Sequence, residues 1–262
     1  MSLLDLVFPK TCVRCGRIGE YFCPECIGLL PPAAAICPLC QEGSIGGVTH
    51  ARCQRTFGLD GLVSIYSYND GIREAVKRLK YRFVRGMAKA FVEAVMERID
   101  PLMVSFFRRK RFVVCPVPLS SSRERWRGFN QAALLGEILA QHMDLPLVRV
   151  LKRVKDTGAL ADLKVRMTAG ERQMFVKRYR STTQQAMAER RFLAEKKVAM
   201  RRGQMKGAFE ISEKLKVKSA KFLLVDDVWT SGATIAECTK VLKRHGASAV
   251  WGFTFARSGR AF

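Results

Sequence analysis

The sequence predicts an α/β fold: an open parallel sheet flanked by helices, with a small cysteine-rich module ahead of it. Apolar runs at residues 112–119 and 222–225 break off in proline, serine or acid, as central parallel strands do where they open on a ligand crevice. Each is followed by a stretch with helical apolar spacing. Cysteine pairs in Cys-x-x-Cys spacing crowd the first fifth of the chain. A chain of 262 residues is long enough for one such core and an appended module. Residues 1–58 are read as the cysteine module and residues 59–262 as the α/β domain.

The module comes first. Cys12, Cys15, Cys23 and Cys26 form two knuckles a short loop apart, each presenting two thiolates to one side of a tight turn, so that four sulfurs wrap one tetrahedral Zn²⁺. Cys37, Cys40, His50 and Cys53 supply a Cys₃His set for a second ion, although spacing alone leaves a pairing interleaved between knuckles open. Cys115 and Cys238 lie in apolar strand and helix settings and are read as core packing.

Residues 61–68 alternate like a strand, Asn69, Asp70 and Gly71 turn the chain, and Ile72, Ala75, Val76 and Leu79 have helical spacing. Tyr66 and Tyr68 are read as packing rather than as base-stacking groups. The strand at 112–119 leads into Ser120, Ser121, Ser122, Arg123, Arg125 and Arg127, a loop that sets three cations beside amide-rich backbone and suits a pyrophosphate. Asn130 is the expected N-cap of a helix through Leu134, Leu135, Ile138 and Leu139. Residues 151–206 then carry sixteen Lys/Arg against five acids, and their Met, Ala, Glu, Gln, Lys and Arg content predicts a helix over about residues 168–200, an arm projecting from the core.

The strand at 222–225 delivers Asp226 and Asp227 where it leaves the sheet. Two neighbouring carboxylates repel, whereas the vicinal hydroxyls of a ribose can each donate a hydrogen bond to one of them. Thr230, Ser231, Gly232, Ala233 and Thr234 offer hydroxyls and backbone amides to a phosphate, with Gly232 leaving room for the anion at the main chain. A helix over 235–245 buries Ile235, Cys238, Val241 and Leu242, stops at Gly246, and points its N-terminus at that phosphate.

The run from Phe222 to Ile235 resembles the phosphoribosyl diphosphate (PRPP) motif of type I phosphoribosyltransferases. With Pro116-Val117-Pro118 and Gly128-Phe129-Asn130-Gln131, the chain resembles the ComF family, bacterial proteins linked to DNA uptake in natural competence. The resemblance implies a type I phosphoribosyltransferase-like open parallel sheet preceded by a double zinc ribbon. It further implies PRPP with Mg²⁺ over Asp226 and Asp227, its 5-phosphate at Thr230 to Thr234, and residues 120–127 as the pyrophosphate loop. Lys80-Tyr81, Leu151 to Thr157 and Gly207-Ala208-Phe209 also match the family layout. The middle of the last region departs from it: a basic insertion of about residues 158–206 is longer than the family's loop, and Gln204 stands where the family shows Asn. No residue of that loop is carried over, and no catalytic residue is assigned.

A formal net charge of +23 and a pI near 10.1 make anions the expected partners, nucleic acid ahead of membrane. Residues 1–9 lack a basic n-region followed by a long apolar segment, and no stretch approaches a membrane span, so a cytoplasmic protein with reduced thiols is expected. The chain begins Met1-Ser2 with no glutaminase domain, which sets aside glutamine-dependent amidotransfer. The expected function is that of a ComF-like protein binding single-stranded DNA and PRPP or a nucleotide phosphate during DNA uptake, alongside the uptake machinery. The alternatives are an active phosphoribosyltransferase passing ribose-5-phosphate to a small acceptor, and a zinc-ribbon nucleic-acid binder whose PRPP cradle is vestigial or a sensor.

Overall fold

A computed structural model describes residues 9–81, 85–157, 165–178, 182–212 and 217–259. Residues 1–8 of the N-terminal reading, and Lys164, Tyr179 and Arg180 of the insertion, lie outside them.

Among the described residues the cysteine-rich segment has one short α-helix, α1 (Pro24–Gly28), entered through a proline that needs no amide partner in a first turn, and 3-10 turns at Ile45–Gly47 and Ala51–Cys53. Then follow β1 (Gly61–Ser67), α2 (Asp70–Tyr81), α3 (Arg85–Met96), α4 (Pro101–Arg109) and β2 (Phe112–Pro116). Asn69 Oδ1 accepts the Ile72 amide at 3.0 Å, so the predicted turn also starts α2. Next come α5 (Ser121–Arg127), α6 (Gln131–Met143) and β3 (Leu151–Arg153), the insertion helices α7 (Ala169–Arg178) and α8 (Thr182–Met205), and finally β4 (Phe209–Ile211), β5 (Lys221–Trp229), α9 (Ala233–Arg244) and β6 (Ala249–Arg257).

The main sheet has four parallel strands in the order β1-β6-β5-β2, so every strand ends at the same edge. β3 and β4 form a separate antiparallel pair. Period-two alternation sends Leu223 and Val225 of β5 to one face, under α2, α3, α4 and α6, and Phe222 and Leu224 to the other, under α9 and the β3-β4 pair. Burial on both faces explains why the parallel strands read as continuous apolar runs. Tyr66 is buried in the first core and donates its hydroxyl to the Ala94 carbonyl at 2.7 Å, a packing role, and Cys115 and Cys238 are buried in the second.

The cysteine module shares these cores. Val13, Phe22 and Leu30 join the first, where Phe22 stacks on Phe91 at 5.4 Å, and Ile36 joins the second. Polar ties reinforce the seam: Arg78 donates to the Thr11 carbonyl at 2.8 Å, and Arg98 to that of Ile27 at 3.0 Å.

Several boundaries differ from the sequence reading. β2 stops at Pro116, and the Val117 amide makes one last bond to the Val225 carbonyl at 2.9 Å before the chain leaves the sheet. The serine-arginine segment is not a loop: residues 121–127 form a helix that ends at Gly128 in the left-handed region. The insertion has two described helices, not one. They lie antiparallel, with Phe175 and Phe192 edge to face at 5.4 Å and Lys196 bonded to Glu171 at 2.8 Å. α8 returns to the second core, where Met205 is buried.

Candidate functional site

The acid pair lies inside β5, not beyond it. β2 pairs with β5 only as far as Pro116 opposite Val225, while β6 continues to Trp229 opposite Arg257. Asp226 and Asp227 therefore sit on the strand just past the point where one neighbour has stopped, and that open flank lets carboxylates ride on a central strand. The pleat also separates them. Asp227 faces α2 and α6, accepting Lys80 Nζ at 2.7 Å and Gln131 Nε2 at 3.3 Å, and Arg127 donates to Gln131 Oε1 at 3.0 Å. Asp226 turns to the side of β3 and feels the Arg153 charge.

The electrostatics follow. Removal from water, and then the Asp227 charge, push the Asp226 carboxyl up to about 7. Burial alone would depress the Lys80 ammonium, but the charge of Asp227 and the hydrogen bond to it outweigh burial and leave it raised. Burial, reinforced by Arg123, lowers Arg153. A half-buried acid near neutrality thus stands back to back with an ion-paired one.

Beyond the pair, β5 turns at Thr230 into α9, with Gly232 as the residue before the helix at φ 70°. The free space expected at Gly232 is filled from within: a Cβ there would lie 2.3 Å from Trp229 Cζ2. Glycine is required by the left-handed backbone and by the indole packed on it. Thr234 donates to the Met205 sulfur at 3.8 Å, so the base of α8 leans on this turn. Across the edge, Ser122 donates to Asp156, and Asn130 caps α6 through the Ala132 and Ala133 amides. Asp226, Asp227, the 230–234 turn and the arginine helix α5 all belong to the C-terminal edge of one sheet.

A cavity of about 640 Å³ adjoins this edge, lined by Cys40, Cys53, Arg55, Phe57, Arg202, Trp229, Ser231 and Gly232 among others; the acid pair is not among its lining residues. Arg55, Phe57 and Arg202 carry no motif that could have announced them. Lys80 and Gln131 did, as parts of Lys80-Tyr81 and Gly-Phe-Asn-Gln, but their convergence on Asp227 required the fold.

The cysteines assemble in two sets, Cys12-Cys15-Cys23-Cys26 and Cys37-Cys40-His50-Cys53, with the candidate ligand atoms of each within 4.8 Å of one another. The grouping is sequential, not interleaved. Tetrahedral thiolate ligation at about 2.3 Å asks for sulfurs roughly 3.8 Å apart, and Cys15 and Cys23 Sγ lie at 3.7 Å. His50 places Nδ1 3.4 Å from Cys40 Sγ and Nε2 3.0 Å from the Gly43 carbonyl. With the Nε2 proton given to that carbonyl, Nδ1 is left as a ligand. Burial opposes the Cys12 thiolate, but the backbone N–H groups of Cys15, Cys23 and Arg14 hold its pKa down at about 6. Cys26 and Cys53 are pushed up, first by burial and then by neighbouring thiols, a penalty that a cation at the centre would relieve. Both donor sets fit a metal ion.

A parallel sheet flanked by helices, with acid pair and helix-opening turn at its C-terminal edge, defines a phosphoribosyltransferase-like α/β protein carrying two metal-type cysteine clusters. No family model matches the chain. It is 28% identical over 254 residues to Competence protein ComFC of Bacillus subtilis, covering 95% of this chain and 85% of that protein. It is 27% identical over 247 residues to DNA utilization protein YhgH of Escherichia coli K12, covering 92% and 86%. Competence protein F of Haemophilus influenzae is 27% identical over 202 residues, covering 74% and 72%. These similarities support the ComF family for this chain. Among the described residues no helix is long and apolar enough to cross a membrane.

Proposed function

We propose that this chain is a DNA-handling protein that acts in competence or DNA utilisation, as the names of its relatives suggest, and that it binds single-stranded DNA together with PRPP or a nucleotide phosphate. The observation that carries the reading is the gathering of Asp226, Asp227, the 230–234 turn and α5 at one sheet edge in a chain of net charge +23. In this reading Asp226 and Asp227 hold the ribose and its Mg²⁺, Thr230, Ser231, Gly232, Ala233 and Thr234 hold the 5-phosphate, and Ser120 to Ser122 with Arg123, Arg125 and Arg127 receive the pyrophosphate. Both cysteine clusters hold Zn²⁺ in a module of residues 1–58 carried on residues 59–262. The protein works in the cytoplasm, next to the DNA-uptake machinery.

Because Asp226 and Asp227 point to opposite faces, a bound ribose meets one carboxylate directly. The other acts through its field or through Mg²⁺. Lys80, 2.7 Å from Asp227, supplies the opposite charge that a buried carboxylate requires.

Filter binding of a single-stranded oligonucleotide over a range of salt tests the DNA arm. We expect log affinity to fall linearly and steeply with log salt, by about three orders of magnitude between ~50 and ~200 mM if six or more phosphates are neutralised. An affinity that barely moved over that range would refute it. Calorimetry with Mg²⁺-PRPP tests the other arm: the Asp226→Asn/Asp227→Asn variant loses the binding heat and keeps most of the DNA affinity, whereas no heat from the unmutated chain removes that arm. A second reading, transfer of ribose-5-phosphate to a small acceptor, is favoured by the intact acid-pair strand and turn. Pyrophosphate release in the same mixtures separates it from the first.

A further inference from the structure

We infer that Trp126 is a stacking platform for an unpaired base, and that α5 is the place where single-stranded DNA meets the sheet edge; this rests on the DNA-binding reading above. The chain has three tryptophans. Trp229 and Trp251 are buried at 3% and 6% exposure, each packed in a core, while Trp126 is 70% exposed. Leaving the largest apolar side chain in water forgoes most of its burial energy, and an indole is the side chain best suited to stack on a base, whichever base that is.

Its surroundings select the occupant. Arg125 and Arg127 adjoin it in sequence, and Arg123 lies one turn back on the same helix face. Glu124 is the one acid in this seven-residue helix. An exposed aromatic with Arg123 on its helix face, on a helix that carries three arginines in seven residues, is complementary to a chain that alternates flat bases with phosphates, and much less so to an apolar protein surface. The helix is also anchored. Arg127 is held by Gln131, which bonds Asp227, and Ser122 donates to Asp156. A strand stacked on Trp126 is therefore placed beside the acid pair. Duplex DNA has no free base face to offer, so the site discriminates for single strands.

The placement of the tryptophans supplies the readout. Titrating the full-length protein with oligo(dT), with tryptophan emission and the anisotropy of a labelled oligo(dT) followed in parallel, should show quenching that saturates with binding. Trp126→Phe should abolish the quenching and keep affinity within about threefold, since a phenyl ring still stacks. Trp126→Ala should weaken binding about tenfold with an unchanged salt slope, whereas Arg125→Ala should lower the slope by about one unit. The side chain is at the surface, so these variants are expected to keep the circular dichroism spectrum. Normal anisotropy binding with no quenching, Trp126→Ala at full affinity, or equal quenching by duplex would each overturn the assignment and leave DNA binding itself intact. No anisotropy change in the unmutated protein would instead remove the DNA-binding reading, and the platform with it.

Discussion

Asp226 and Asp227 are neighbours in sequence, yet the pleat gives them different chemistry. Asp227 is ion-paired with Lys80 at 2.7 Å, while Asp226 is pushed up to about 7 by loss of water and by the charge behind it. A carboxyl raised in the folded chain binds its proton more tightly there than when unfolded, so stability falls as the pH rises from about 4 to about 7. Asp226→Asn should therefore raise the melting temperature at pH 8 and leave it unchanged near pH 4, where the native acid is already neutral. Melting curves of the two proteins at both pH values check this; an equal shift at both would assign the effect to something other than charge. The acid pair was legible in the sequence, but its division between two faces was not. The apolar run ends at Val225, acids rarely continue a buried strand, and nothing in the local sequence shows that β2 stops at Pro116 and leaves a flank open.

The elements around the edge carry the same lesson. The turn from β5 into α9 was expected from its Thr, Ser and Gly content, and α9 starts at Ala233, directly after the glycine. The reason for the glycine was not visible, since it depends on an indole packed across the turn. Gly232→Ala should cost about 2 kcal/mol or more, from a left-handed backbone and a Cβ overlapping Trp229. Urea unfolding measures it. Trp229→Leu in the same chain should recover the overlap component but not the backbone one. The composition of the serine-arginine segment suits a loop, but Glu124, Arg125 and Trp126 tolerate a helix well, and Gly128 ends it. The insertion was helical as its composition implied. Its pairing into α7 and α8 rests on Phe175 against Phe192 and Glu171 against Lys196, contacts between positions too far apart for any helical period to reveal.

At the scale of the molecule, the cysteine clusters and the α/β core are joined through shared apolar cores rather than through a linker. Phe22 of the first cluster's loop stacks on Phe91, and the cavity beside the 230–234 turn has Cys40 and Cys53 in its wall. We expect two equivalents of Zn²⁺ per chain by metal analysis. His50→Ala should retain one, because only the second set loses a ligand. It should also lower the melting temperature of the whole chain in a single transition, since Ile36 and Leu59 of the neighbouring loops belong to the second core. Two separate transitions, or retention of both ions, would contradict that coupling. Cys-x-x-Cys spacing made the clusters plain in the sequence; their attachment to the sheet was not, because it depends on single apolar residues in irregular loops.

The strand order has a consequence for how the chain is made. β1 hydrogen-bonds to β6, and Ser64 meets Thr254 at 2.7 Å across 190 residues of sequence. β1 therefore emerges from the ribosome long before its sheet neighbour exists, and loop closure over that span slows the search for it. During that interval β1 can meet only the upstream segments that bridge it at Pro32 and Val48, and the edge that β6 will cover stays open to chaperones and to other chains alike.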